Sequence, residues 1–272
     1  MWVRWKYFYL GVLLKVLFLG DIFGRPGRVA VKSFLREFKE KNQVDLCMAN
    51  CENITDGKGA SEKKIAEMLE CGVHIFSSGN HLYDQKNEYE FIKKAGYIAK
   101  PLNFPELAYG YKYVIHDVTD IPVMLLTLCG QTYMSPVNSP FQSLDLFLNT
   151  FENLPKCIIV DFHAESTAEK RTFGFYFDGK VSAILGTHTH VQTADEEILP
   201  NGTAYITDVG MCGPHDSVIG IKKEIAIEKI QKGMPIRHIT ADKGLEVNAV
   251  YFELDENTGK TNNIKRIKEK CY

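Results

Sequence analysis

The chain has no CxxC pair, although seven cysteines occur in its 272 residues. An odd number without paired spacing excludes a closed disulfide framework and a cysteine-held zinc cluster. Cys47, Cys51, Cys129 and Cys157 fall in apolar, strand-like runs, where a free thiol behaves as a small hydrophobe. A reducing, cytoplasmic environment is therefore expected. No Pro/Gly/Ser-rich linker, low-complexity tract or internal repeat divides the chain, so one main domain is expected. There is little net charge: 32 basic against 34 acidic residues give −2. That balance offers no reason to expect a stable nucleic-acid complex or a membrane-surface binder. It leaves a homo-oligomer open.

Long apolar runs are also missing. The opening MWVRWKYFYLGVLLKVLFLGD is aromatic and hydrophobic, but it is too short and too charged for a span of ~20 residues. Lys15 interrupts it, and no small-x-small cleavage site follows. Residues 1–14 are read as an N-terminal leader or upstream-start extension, and 15–272 as the domain.

What is present is alternation. The patterning predicts strands over 16–20, 45–51, 74–78, 158–162, 181–186, 203–207 and 247–254. Helices are expected over 28–41, 61–71, 87–94, 144–153, 165–175 and 222–231. In the first of these Val29, Phe34, Leu35 and Phe38 share a face; in the second Glu62 and Glu67 lie on the polar side. Two strands, 111–116 and 123–128, follow one another without a helix between them. Alternating α/β with added antiparallel strands predicts two stacked sheets flanked by helices, with a three-layer arrangement as the alternative the pattern also allows.

Five of the strands stop at an unusual polar cluster: GD (Asp21), NCEN (Glu52, Asn53), GNH (Asn80, His81), DFH (His163) and GTHTH (His188, His190). Singly, each has an ordinary explanation as a cap, a turn or a satisfied core group. Five coincidences at one sheet edge instead assemble a metal site, since open α/β sheets place ligands at the carboxyl ends of their strands. Seven O and N donors without thiolate suit Mn, Fe, Zn or Co and are too many for one tetrahedral ion. They suffice for two ions sharing a carboxylate, Glu52 or Asp21. His188 and His190, projecting together from a strand end, need not serve the same ion. With only two anionic donors the cluster stays positive and should attract phosphate, and metal-bound water near neutrality supplies a nucleophile. His81, beside Asn80, is then placed to protonate a leaving alkoxide.

In this order and at these spacings GD, NCEN, GNH, FHAE and GTHTHVQTAD resemble the calcineurin-like metallophosphoesterases, and more narrowly the YmdB family of bacterial phosphodiesterases. The likeness runs from about Lys15 to the C-terminus and includes GRPGR (24–28), NITDGKG (53–59), KPLNFP (100–105), DFHAESTAEK (161–170) and ITDVGMCGPHDSVIG (206–220). It implies a four-layer α/β/β/α sandwich. It also implies two divalent metal ions, often iron, with manganese or zinc as alternatives, and hydrolysis of 2′,3′-cyclic nucleotides. By the same likeness Asp21, Glu52, Asn53 and His190 hold one ion. Glu52, Asn80, His163 and His188 hold the other, with Glu52 bridging and His81 as proton donor. The wider superfamily has Asp-x-His first, where this chain has Asp21-Ile-Phe23; Asn53 is expected to fill that vacancy.

The leading expectation is a dinuclear-metal phosphodiesterase acting on a small-molecule nucleotide. A phosphomonoesterase or protein phosphatase with the same site is one alternative, and a low-turnover metal–nucleotide-binding regulator is another. Arg25, Arg28, Lys58 and His215 lie near the motifs as candidates for substrate contact or solvated faces. His74, His116 and His238 have no motif around them and are read as structural.

Overall fold

The computed structural model describes residues 13–271. Most of the expected leader, residues 1–12, lies outside them. The chain runs β1 (Leu13–Ile22), α1 (Gly24–Asn42), β2 (Leu46–Asn50), α2 (Glu62–Cys71), β3 (Ile75–Ser77), α3 (Tyr89–Lys94), β4 (Tyr113–Val118), β5 (Ile121–Cys129) and α4 (Pro140–Thr150). It continues with β6 (Cys157–His163), α5 (Thr167–Phe177), β7 (Ala183–Thr187), β8 (Glu197–Ile198), β9 (Ala204–Ile206), β10 (Met211–Pro214), α6 (Lys223–Lys232), β11 (Leu245–Asp255) and β12 (Thr261–Lys270).

Two six-stranded sheets form, in the orders β12-β11-β10-β1-β2-β3 and β4-β5-β6-β7-β9-β8. Strands β1, β2, β3 and β10 are mutually parallel in the first, as are β5, β6, β7 and β9 in the second. Period-2 alternation sorts each strand's side chains into two layers. Val16 and Phe18, Leu46 and Met48, Val123 and Leu125, and Ile159 and Leu185 meet in one core between the sheets. The opposite faces carry Leu17, Leu19 and Cys47 against α1 and α2. On the other sheet Leu126, Val160 and Phe162 pack on α4 and α5, where Leu144, Phe173 and Phe177 sit. Helix, sheet, sheet, helix is the expected four-layer sandwich.

Several boundaries differ for local reasons. β1 starts at Leu13, two residues inside the expected leader, because Leu13 and Leu14 pair with Asp255 and Leu254 of β11. α1 begins at Gly24, with Pro26 in its first turn, a position proline tolerates. Its buried face is Ala30, Val31, Phe34 and Leu35, while Val29 is 44% exposed. Five residues before Phe34, Val29 lies about 140° around the helix from it. Glu67 is half-buried and pairs with Arg28 and Lys32, each at 2.8 Å. α4 starts four residues early because the Ser139 hydroxyl accepts from Gln142 N–H and Pro140 opens the helix. The strands β8, β10 and β12 carry little apolar signal. β12, TNNIKRIKEK, is an edge strand whose lysines suit an exposed ladder.

All seven cysteines are free, five of them buried, and burial pushes the Cys47 thiol up to about 12. No helix among the described residues is long and apolar enough to cross a membrane.

Candidate metal centre and active site

The parallel strands of both sheets end on one side, and that edge carries the polar clusters. Asp21 lies near the end of β1. Glu52 and Asn53 follow β2, Asn80 and His81 follow β3, His163 ends β6, and His188 and His190 follow β7. Hence all seven expected ligands and His81 converge. Glu52, His163 and His188 place their donor atoms within 4.8 Å of one another.

Two groups of donors are resolved. In the first, His163 Nε2 lies 2.9 Å from Asn80 Oδ1, 3.2 Å from Glu52 Oε1 and 3.0 Å from His188 Nδ1. In the second, His190 Nε2 lies 3.1 Å from Asn53 Oδ1 and 3.9 Å from Asp21 Oδ1. The HxH pair is thus divided between the groups, but not by strand geometry. β7 stops at Thr187, and His188 and His190 adopt φ of 99° and 65°. Their rings do not project together as on a strand; two left-handed residues turn them apart. Such φ values are uncommon for non-glycine residues and cluster at functional sites.

The outer nitrogen of each imidazole meets an oxygen. His190 Nδ1 faces the Ile219 carbonyl at 3.1 Å, His188 Nε2 faces Glu165 at 3.2 Å, and His163 Nδ1 faces the Thr187 hydroxyl at 2.9 Å. A carbonyl and a carboxylate only accept, so the proton sits on the outer nitrogen and the inner lone pair turns toward the cluster. The inner atoms then face acceptors: Asn53 Oδ1, Asn80 Oδ1, Glu52 and Asp21. Asp21 Oδ1 is buried with no hydrogen-bond partner among the described residues. Acceptors converging with no proton to share except on Nε2 of a charged His163 are the arrangement a divalent cation satisfies, and the absence of sulfur favours borderline metals. The seven residues fit that group.

Electrostatics agree. Burial raises the Asp21 carboxyl well above the usual range, opposed by His163 and reinforced by Glu52. Burial acts the same way on Glu52, but neighbouring His163, with His81, outweighs it and holds Glu52 at about 2. Burial would lower His163; Glu52 foremost, then Asp21 and Asp161, raise it to about 9. Burial and the His163 charge push His188 down to about 3, and burial lowers His190. The cluster demands positive charge while keeping two imidazoles neutral.

Gly79 makes the assembly sterically feasible, since a Cβ there would overlap Glu52 Oε2 and His163 Nε2. Phe23, in the position of the superfamily's histidine, packs edge-on against His190 at 5.5 Å and lines the cavity. His81 donates its backbone N–H to Glu52 Oε2 at 2.9 Å, while its ring Nδ1 lies 2.9 Å from Asp84.

Above the cluster opens a cavity of about 1230 Å³, lined by Glu52, Asn53, His81 and His188 on one side. Ile219, Ile221, Ile236, Arg237, His238 and Ile239 line the other, with Lys58 at the wall. Of the four sequence candidates only Lys58 lines it. Arg28 is buried, donating to Ile54 O at 2.7 Å, and so holds the loop after β2. His215 Nε2 lies 3.0 Å from Met211 O and does not line the cavity, nor does the exposed Arg25. His238, expected to be structural, does line it. His74 and His116 stack 5.3 Å apart. Asp84 and the Ile219 carbonyl carry no functional signal in the sequence, and Glu165 is marked only by its place in FHAE.

Phosphate-ester enzymes are what this chain resembles along nearly its whole length. It is 37% identical over 254 residues, 93% of this chain and 96% of the relative, to a Bacillus subtilis (strain 168) protein named 2′,3′-cyclic-nucleotide 2′-phosphodiesterase. A solved Mycoplasma pneumoniae structure, described as a novel phosphatase, superposes with a TM-score of 0.92 at 36% identity, covering 96% of this chain and 95% of that one. A Thermus thermophilus structure, described as a hypothetical protein, gives 0.89 at 33% identity, covering 94% and 99%. Fold and likeness define a hydrolase of phosphoric esters of the metallophosphoesterase type. Within that class the chain belongs to the YmdB-like protein family, whose model matches residues 17–267.

Proposed function

We propose that the protein is a phosphodiesterase that hydrolyses 2′,3′-cyclic nucleotides to nucleoside monophosphates with two divalent cations. The observation that carries this reading is the convergence of inward lone pairs around the partnerless Asp21 Oδ1. Asp21, Glu52, Asn53 and His190 would hold one cation, and Glu52, Asn80, His163 and His188 the other. Iron is the expected metal, with manganese or zinc as alternatives. When bound, such ions supply Lewis acidity and a water acidic enough to attack phosphorus at neutral pH.

This chain's own groups do the rest. Asp84 engages Nδ1 of His81, which leaves Nε2 as the nitrogen free to give a proton to the departing ribose oxygen in the cavity that His81 lines. Lys58 and Arg237 bring positive charge to the same cavity and favour an anionic substrate. The nucleotide itself is supported by the name of the Bacillus subtilis relative. Free buried thiols support a cytoplasmic setting.

The test couples elemental analysis of purified protein to a 2′,3′-cyclic AMP assay, beside mononucleotide and phosphopeptide substrates. His81→Ala should lower turnover roughly 10²–10⁴-fold, the usual worth of a general acid, with metal content intact. His163→Ala should lose metal as well. Equal metal loss in both variants would remove His81 from its role. Faster turnover of phosphomonoesters would replace the diesterase reading.

A further inference from the structure

Beneath the cluster lies a carboxylate that contacts none of its donor atoms. Asp161 is fully buried, two residues before His163 on β6 and therefore on the same strand face. Its Oδ2 accepts from Asn50 Nδ2 at 2.9 Å and from the Ser77 hydroxyl at 2.5 Å. Its Oδ1 accepts from the Thr187 hydroxyl at 2.5 Å. The three donors come from β2, β3 and β7, so this single residue ties the two sheets together under the site.

Two of the three donors, Thr187 and Asn50, also meet a candidate ligand. A threonine hydroxyl carries one proton. With that proton committed to Asp161, Thr187 can only accept from His163 Nδ1, 2.9 Å away. Once Nε2 has given up its proton to a cation, the proton His163 keeps is thereby held on Nδ1, and the Nε2 lone pair faces Glu52 and Asn80. Asn50, with its amide nitrogen committed to Asp161, turns its oxygen to the Glu52 backbone N–H at 3.0 Å.

We propose that Asp161 is a positioning residue for the metal centre, acting on His163 through Thr187 and on Glu52 through Asn50. The proposal rests on the reading of Glu52 and His163 as metal ligands. Asp161→Asn reverses the relay at constant size. An amide facing Thr187 donates to it, the hydroxyl then donates to His163 Nδ1, and the imidazole proton moves to Nε2, where it blocks ligation.

Zinc binding by the purified full chain, measured in competition with a chelator, tests this. Thr187→Val should weaken zinc affinity about 10–100-fold, the usual effect of losing a histidine's outer partner. Thr187→Ser, which keeps the hydroxyl, should restore it. Asp161→Asn should cost more than Thr187→Val, because it moves the His163 proton onto the ligating Nε2 and does not merely remove a partner from Nδ1. The double variant should resemble Asp161→Asn alone, as members of one chain are not additive. Wild-type affinity in Thr187→Val, or equal losses in Thr187→Val and Thr187→Ser, would overturn the relay. The threonine pair decides the matter even if Asp161→Asn fails to fold. Wild-type protein that binds no zinc, iron or manganese would instead sink the ligand assignment itself.

Discussion

Gly79 shows how a residue without a side chain shapes the centre. It separates Ser78 from Asn80, and the space its Cβ would occupy is filled by Glu52 and His163. Gly79→Ala must displace one of these groups, both of which belong to rigid, buried surroundings. It should abolish metal binding while leaving far-ultraviolet circular dichroism close to wild type; retained metal would show that the donors can move aside. The proposed ligand residues were legible in the sequence because strand ends expose them in order along the chain. Their partners were not. Asp84, Glu165, Thr187 and the Ile219 carbonyl are ordinary residues until folding places each beside an imidazole, and no spacing encodes that placement.

At the scale of elements, the HTH turn after β7 depends on α5 and on the strand neighbours behind it. Lys170 of α5 donates to the Thr187 carbonyl at 2.8 Å and pairs with Asp208 at 2.7 Å, both side chains 1% exposed. Asp208 in turn accepts from Thr189 N–H and hydroxyl at 3.1 and 2.8 Å. These bonds hold the backbone around the left-handed His188. Lys170→Met leaves Asp208 as an unpaired buried charge, so a loss of roughly 3–5 kcal/mol is expected, read as a drop in denaturant midpoint. Metal content should fall with it.

The far end of the sandwich carries a pH-sensitive contact. His74 Nδ1 accepts from the Cys47 backbone N–H at 3.0 Å, and protonation would break that bond. Burial, then Lys39 and His116, lower its pKa to about 4. An unfolded histidine titrates near 6.5, so the unfolded chain binds more protons between those values. The contribution is therefore complete above pH ~6.5 and is lost as pH falls toward 4. Allowing for solvent around this partly exposed ring, it amounts to roughly 1–2 kcal/mol. His74→Gln should flatten the decline in melting temperature between pH 6.5 and 4; an unchanged decline would exclude the contact as its source. Strand recognition failed at this scale for β10 and β12, because a Gly-Pro ending and an edge ladder of lysines lack apolar alternation.

Across the whole molecule, the four layers carry the donor side chains to one face, and the segment from Ile219 to Thr240 closes over it. The wall opposite the cluster is largely aliphatic, with Ile219, Ile221, Ile236 and Ile239, and carries Arg237 and His238 among them. Other polar side chains nearby are engaged with the protein: Gln85 donates to Lys58 O at 2.7 Å and Thr240 to Asp56 O at 3.4 Å. An apolar surface discriminates weakly, by about 10–200-fold at most, whereas a site built to bond a polar edge rejects by far more. The four 2′,3′-cyclic nucleotides should accordingly differ in kcat/KM by no more than about 200-fold. A preference of several thousand for one base would instead point to Arg237 or His238, the polar groups on this wall, as its recognition element.

Sequence alone determined the layered α/β plan, since apolar periodicity depends only on which residues stand next to one another. It also determined the order of polar residues at strand ends. Tertiary structure decided everything that depends on distance between remote segments. It split the HxH pair through two left-handed residues, buried Arg28 under the β2 loop, and brought His238 to the cavity. It also set each imidazole's proton, because a tautomer follows from the oxygen that happens to lie beyond the ring.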